Sequence, residues 1–210
     1  MARSKHEFNS AMIGWILGDG TMPNESQLYI RHGGRQLKLV DEKVAYLSSY
    51  IYPKSIRSAI DKKGYPYRYA YYNTPRLKYL YKLIYRQKRK TIGPTLIHRF
   101  NTIALACFYI DDGSLCLRGK RSGLIKSREV YLATHSFTES EVRLFQSMLK
   151  TKFGIDFRLT WDKGKPRLWC NTDNAKRFVD TVKTFVEHFP SVHYKLDFRY
   201  KRESPYNFFT

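Results

Sequence analysis

One short apolar stretch occurs twice in this chain and constrains the fold more than any other feature. The first copy is Ala11-Met12-Ile13-Gly14-Trp15-Ile16-Leu17-Gly18-Asp19-Gly20, and the second is Leu105-Ala106-Cys107-Phe108-Tyr109-Ile110-Asp111-Asp112-Gly113. Each reads as an apolar helix with a carboxylate on its last turn and a glycine just beyond, where a helix C-cap turns left-handed. The carboxylate is the anomaly, because a helix C-terminus carries partial negative charge and disfavours an anion. Two such anions, each closing an apolar helix, imply that something positive is held there. Small residues let the helices pack side by side. Gly14 and Gly18 share one face of the first, and Ala104 and Cys107 lie close on the second. That packing brings Asp19 and Asp112 together beside helix-end carbonyls, a set of hard oxygens that suits Mg²⁺.

Both stretches resemble the signature of the LAGLIDADG homing endonucleases. In Met12 to Gly20 and Leu105 to Gly113 the small third residue, the penultimate Asp and the final Gly stand where the family has them. Two positions of the second copy depart: Cys107 replaces a glycine, and Asp111 replaces a small residue. The resemblance implies a monomeric, two-repeat endonuclease that cuts double-stranded DNA at a long asymmetric site. The cut would cross the minor groove and leave 3′ overhangs. Asp19 and Asp112 would hold Mg²⁺ or Mn²⁺, assisted by the carbonyls of Gly18 and Asp111. Lys90 and Lys195 stand where the family places lysines beside the metals. His135 is a further candidate, for positioning water near the metal.

Charge points the same way. Lys and Arg number 38 against 18 acids, a formal net charge of +20, with a pI near 9.9. Such an excess suits a polyanion, most simply nucleic acid. Residues 1–98 carry +12 and residues 99–210 carry +8, which excludes a basic tail on a neutral domain. The three cysteines form no C-x-x-C pair and suit neither a disulfide framework nor zinc. An intracellular, reducing setting is expected. The polar start is no secretory signal, and no apolar run approaches the roughly 20 residues a membrane span needs.

The halves repeat each other beyond the signatures. Asp61-Lys62-Lys63-Gly64-Tyr65-Pro66 returns as Asp162-Lys163-Gly164-Lys165-Pro166. The signature aspartates are 93 apart and these hairpins 100–101 apart, a drift that implies an insertion between Gly119 and Arg128, and the lysines, 105 apart, fit the same repeat. Hydrophobic periodicity predicts α-β-β-α-β-β-α twice, an α+β fold of tandem repeats. Residues 1–86 would form the first copy, 87–99 a linker, and 100–210 the second with a basic, aromatic tail. Each copy would carry a four-stranded antiparallel sheet with helices on one face. Ile56, Ile60, Phe157, Leu159 and Trp161 are read as inward.

The open sheet faces would form a pseudo-twofold saddle over the duplex. The candidate DNA contacts are Gln27, Tyr29, Arg31, Arg57, Arg68, Arg118, Tyr131, Arg158, Thr160 and Arg167, because such side chains reach base edges in a major groove. Arg31 is matched to Ala133, and Ala59 to Thr160, so the target need not be a palindrome. The tyrosines of Tyr65 to Tyr85 are read as strand and helix packing, with some hydroxyls on phosphates. The expected partner is double-stranded DNA, with intron RNA as a second candidate and no obligate protein partner. An RNA-splicing maturase, or a regulator that binds DNA without cutting it, are the rival readings of the same scaffold. The initial Met and the lack of intein-type flanking nucleophiles favour a free-standing or intron-encoded protein.

Overall fold

Ser4 opens the first helix, its hydroxyl accepting the Glu7 N–H that the first turn leaves without a partner. The structure is a computed structural model that describes residues 4–119 and 125–198. Helix α1 (Lys5–Leu17) is buried from Ser10 to Leu17 on every side, as a helix apolar all round must be. Strand β1 (Gln27–Gly33), helix α2 (Leu37–Leu47), the hairpin of β2 (Ser55–Ile60) and β3 (Pro66–Asn73), and helix α3 (Lys78–Ile84) complete the first unit. Its antiparallel sheet has the order β1-β3-β2. A fourth strand would run directly after α1. There the chain makes only one bridge, Thr21 to Tyr29. Pro23 has no N–H to give, and the Asn24 side chain accepts from the N–H groups of Ser26 and Gln27, turning the chain away.

The 87–99 stretch is structured. It completes a tight hairpin of β4 (Tyr85–Arg86) and β5 (Arg89–Lys90) and then forms the short helix α4 (Pro94–Arg99). Gln87 and Lys88 turn this hairpin with φ of 50° and 62°. The second unit runs α5 (Thr102–Asp112), β6 (Gly113–Gly119), β7 (Ile125–Leu132), α6 (Glu139–Phe153), β8 (Arg158–Asp162), β9 (Lys165–Cys170) and α7 (Thr172–Val186). Its sheet has all four strands, in the order β6-β7-β9-β8. Thr138 caps α6 in a reciprocal box with Glu141. A 3-10 segment, Pro190–Lys195, follows α7. Of the insertion expected between Gly119 and Arg128, residues 120–124 lie outside the described residues, as do residues 199–210 of the tail.

Helices α1 and α5 lie side by side, and glycine makes this possible. A Cβ on Gly14 would strike the Ala104 carbonyl and stand 2.6 Å from the Cys107 Cβ. One on Gly18 would stand 2.7 Å from the Asp111 Cβ. The expected left-handed glycine caps are absent. Gly18, the C-cap of α1, has φ −77°, and Gly113, the C-cap of α5, has φ −94°. The glycines after the aspartates serve a close approach instead. A side chain on Gly113 would overlap the Tyr109 ring, and one on Gly20 would come within 2.8 Å of the Trp15 carbonyl.

Ile56, Ile60 and Trp161 do not reach the core. Ile60 is 70% exposed and Trp161 53%. Both stand beside hairpin turns on edge strands. In the first unit α2 packs chiefly on β1 and β3. The three cysteines are free thiols. Among the described residues no helix is long and apolar enough to cross a membrane.

The Gly14 contact sets a stability prediction. In an open helix Gly→Ala gains up to about 1 kcal/mol. Here the added methyl meets backbone, so Gly14→Ala is expected to destabilise by about 1–3 kcal/mol, read from urea unfolding midpoints. An unchanged or raised midpoint would show that the seam is looser than described.

Candidate active site and nucleic-acid interface

The two signature helices end side by side. Asp112 is the last residue of α5, and Asp19 lies just past Gly18, the C-cap of α1. Burial pushes the Asp112 carboxyl up to about 7, with Asp19 and then Asp111 adding to the shift. Asp19 is also raised, by burial first and by Asp111 second. Its side chain remains 42% exposed and lines a groove of about 760 Å³ along the first sheet. The structure thus brings Asp19 and Asp112 into one electrostatic cluster.

Both candidate lysines belong to that cluster. Lys90 donates to the Gly18 carbonyl at 2.5 Å. Burial lowers its pKa, while Asp112 and then Asp19 oppose the shift. Lys195 is buried at the end of α5 and donates to the carbonyls of Ile110 (2.6 Å), Gly113 (2.8 Å), Tyr109 (3.2 Å) and Asp111 (3.4 Å). Burial pulls its pKa down to about 8. The lysines therefore offset the negative ends of the two helices. The Gly18 and Asp111 carbonyls, expected to assist a metal, each already accept a lysine N–H.

Each lysine is fixed by a tie to the opposite half. Beside Lys90, Arg89 grips Glu141 of α6 through two bonds of 2.8 and 3.0 Å. Before Lys195, Ser191 donates through its N–H (3.0 Å) and hydroxyl (2.7 Å) to Glu42 of α2. The Tyr109 hydroxyl also donates to the Lys195 carbonyl at 2.7 Å.

Asp111 proves distinct from Asp112. Its carboxylate is fully buried and takes a short hydrogen bond from the Lys43 ammonium on α2. Its other oxygen accepts the Asp19 N–H at 3.2 Å. His32 on β1 completes the group: its Nε2 lies 2.8 Å from Lys43 Nζ, and its Nδ1 3.5 Å from Asp19 Oδ2. Burial and then the Lys43 charge push the imidazole down to about 2, so it is neutral. Sequence reading missed His32 and Lys43. The signal was a histidine on the inward row of β1 with Leu28 and Ile30, and a lysine on the buried row of α2 with Val40 and Leu47. Asp19, His32 and Asp111 each bring a ligand atom within 4.8 Å of the others. Lys43 already binds two of the three, and a divalent ion there would meet its positive charge. Asp19 and Asp112 remain as the two carboxylates of the cluster that no lysine ammonium hydrogen-bonds, and both are pushed up by burial and by the neighbouring acids.

His135 stands two residues after Ala133, whose N–H donates to the Asp112 carbonyl at 2.8 Å. Its Nε2 lies 3.5 Å from Asp162 Oδ2, and no interaction described ties it to Asp19 or Asp112. The histidine beside Asp19 is His32 on β1, while the chain after β7 runs past Asp112.

Strand register sorts the proposed DNA contacts. Arg31, Tyr69 and Arg57 lie opposite one another, as do Tyr29, Tyr71 and Ser55. With Gln27 they share the open face of the first sheet. Tyr67 joins them, with the Arg31 guanidinium 3.6 Å above its ring. Tyr72, of opposite parity, is in the core, so the tyrosine run is divided between packing and an open aromatic face. Arg68 is a correction. It pairs with His32 on the helical side of the sheet and binds Asp41 of α2 at 2.8 and 2.9 Å.

On the second sheet Tyr131, Trp169 and Arg158 are aligned, as are Thr160 and Arg167, with Arg118 on the same face. Arg118 is braced by Glu129 and the Tyr131 hydroxyl, each at 2.8 Å, and Arg167 stands 4.4 Å over the Tyr131 ring. Pro66 and Pro166 close equivalent hairpins, opposite Ile60 and Trp161. By that register Arg31 corresponds to Tyr131 rather than Ala133, and the two faces still differ.

Comparison with known proteins agrees with this arrangement. The model of the LAGLIDADG DNA endonuclease family matches residues 9–178. The chain belongs to this family. It is 26% identical over 133 residues to the intron-encoded endonuclease ai4 of Dictyostelium discoideum, spanning 62% of this chain and 76% of that protein. It is 28% identical over 174 residues to the DNA endonuclease I-ChuI of Chlamydomonas applanata, spanning 71% and 74%. Its fold matches the homing endonuclease I-WcaI bound to its DNA recognition sequence, with a TM-score of 0.78 at 21% identity over 92% of this chain and 87% of that one. By family the chain is a DNA endonuclease of the homing type, DNA is its target, and divalent-metal use is general in the family.

The buried Lys43–Asp111 pair sets a second prediction. Lys43→Met leaves Asp111 charged and alone in the core, which is expected to cost about 3–5 kcal/mol. Lys43→Met with Asp111→Asn is expected to recover most of that loss in guanidinium unfolding. A double variant no more stable than the single one would refute the pairing.

Proposed function

We propose that this chain cuts both strands of a long, asymmetric DNA site, with Asp19 and Asp112 holding Mg²⁺ or Mn²⁺. The observation that carries the reading is the cluster at the helix seam. There two carboxylates from opposite halves share one field, flanked by the half-buried Lys90 and the buried Lys195. A bound divalent ion supplies an activated water and charge stabilisation on the phosphate. The chain's own residues do the rest. Asp19 and Asp112 present the oxygen donors, and Lys90 and Lys195 place positive charge beside them. The buried helix ends keep that geometry without reorganisation during reaction.

Recognition falls to the two open sheet faces. Gln27, Tyr29, Arg31 and Arg57 read one half of the target, and Arg118, Tyr131, Arg158, Thr160 and Arg167 read the other. Divergent faces on one chain suit an asymmetric sequence, and both halves of the seam lie in one polypeptide, so the enzyme acts as a monomer without a protein partner. The cut crosses the minor groove and leaves 3′ overhangs. Names of relatives as intron-encoded support a gene carried by an intron. The exon junction of the interrupted gene is then the candidate target, and the intron RNA a competitor to be included in binding assays.

On that junction duplex, Asp19→Asn and Asp112→Asn are each expected to lower double-strand cleavage by about 10²-fold or more while DNA affinity is kept. Chelation by EDTA should stop cleavage, and added Mg²⁺ restore it. Normal cutting by either variant, or cutting in EDTA, would refute the assignment.

A further inference from the structure

Asp19 and Asp112 are not held alike. His32 is buried, at 3% exposure, and its Nε2 faces the Lys43 ammonium at 2.8 Å. An ammonium only donates, so Nε2 accepts and the ring proton sits on Nδ1. That nitrogen lies 3.5 Å from Asp19 Oδ2, and the ring is also hydrogen-bonded to the Gln36 side chain, which lines the same groove. The separation is longer than a full hydrogen bond, as in many sites that tighten around their substrate. The same Lys43 binds Asp111, and Asp111 accepts the Asp19 N–H. Both the backbone and the carboxylate of Asp19 thus face one buried, charge-balanced unit.

The second half has no such unit. The inward row of β7 is Val130 and Leu132, and the buried row of α6 is Val142, Phe145, Met148 and Leu149. Among the described residues the buried polar side chains around the seam, besides the Asp111 carboxylate of that unit, include His32, Lys43, Thr134 and Lys195. Thr134 donates to the Pro166 carbonyl, and Lys195 to the carbonyls at the end of α5. Neither hydrogen-bonds the Asp112 carboxylate, which Lys90 and Lys195 reach only through their charge.

We propose that His32, oriented by Lys43, is a positioning residue for the Asp19 carboxylate, and that this one-sided support makes the two strand cuts unequal. The inference rests on the function proposed above. Groups that orient a metal-binding side chain alter metal affinity or rate by about 10–100-fold when lost. His32 would therefore act on metal dependence and turnover and leave DNA affinity alone. The strand whose cut depends on Asp19 would feel its loss first.

Two substitutions separate the ring nitrogens. His32→Asn keeps an N–H near the Nδ1 position, facing Asp19. His32→Gln places its amide near Nε2, where it can satisfy Lys43 but not Asp19. Cleavage is followed on the exon-junction duplex with each strand labelled differently, across a Mg²⁺ titration, with DNA affinity measured in parallel. The expected result for His32→Gln is a fall in kcat and a rise in half-saturating Mg²⁺, each about tenfold or more. Its DNA Kd should stay within about twofold, and nicked duplex should accumulate because one strand is slowed more. His32→Asn should retain most of the parent's rate. Equal losses in the two variants, through folding or through rate, overturn the proposal, as do equal effects on both strands. Asp19→Asn in the same assay separates the failures. If it cuts normally, the assignment of Asp19 is wrong. If it is inactive while His32→Gln behaves as the parent, only the role of His32 falls.

Discussion

Everything at the centre of this molecule depends on how closely α1 approaches α5. The approach is limited by the atoms on the facing sides, and hydrogen at Gly14 and Gly18 removes the limit on one of them. Backbone of α1 then meets Ala104, Cys107 and Asp111 directly. The seam is lopsided, because glycine on α1 makes room for a thiol and a carboxylate on α5. It is also what joins the two units, whose buried residues form one continuous cluster. A side chain in that contact would separate the helices and, with them, Asp19 from Asp112.

Close packing creates an electrostatic difficulty that the chain resolves with buried lysines. Two helix C-termini and three carboxylates are gathered there, with Asp111 fully buried and Asp19 still open to the groove. Lys43 neutralises Asp111, while Lys90 and Lys195 lie against the carbonyl ends of α1 and α5. Burying a cation is itself costly, as the lowered pKa values of Lys90 and Lys195 record. The arrangement is stable because each charge removed from water meets one of opposite sign or several carbonyls. Asp19 and Asp112 are the acids with no dedicated lysine, and that leaves them the natural place for a metal ion.

The lysines are also held across the pseudosymmetry. Glu141 of the second unit grips the hairpin that carries Lys90, and Glu42 of the first grips the segment that carries Lys195. Each half therefore braces a catalytic candidate supplied by the other. Displacement of one half would move both lysines. The site is in this sense a property of the assembled pair of repeats, and the opposed sheets inherit their relation from the same contacts.

Repetition, charge and periodicity were readable without coordinates, because they are local or additive. An apolar helix shows its face through residue spacing, and the hairpins around Gly64 and Gly164 show their turns. The side-by-side helices with Asp19 and Asp112 at their ends followed from residue size alone. What composition could not reveal was pairing through space. Pro23 and Asn24 removed one strand of four, a competition between local turn chemistry and the ladder. Arg68 was turned inward by strand parity and Asp41. The glycines after the aspartates had a packing role that a cap pattern mimics. Above all, Asp111, the first acid of the Asp111-Asp112 pair, demanded a buried cation, but its source lies 68 residues away on a helix whose pattern is otherwise ordinary. Residue spacing determined which helices meet. Only the folded chain decided which charges face one another, because desolvation and ion pairing act at distances of a few ångströms that sequence separation does not encode.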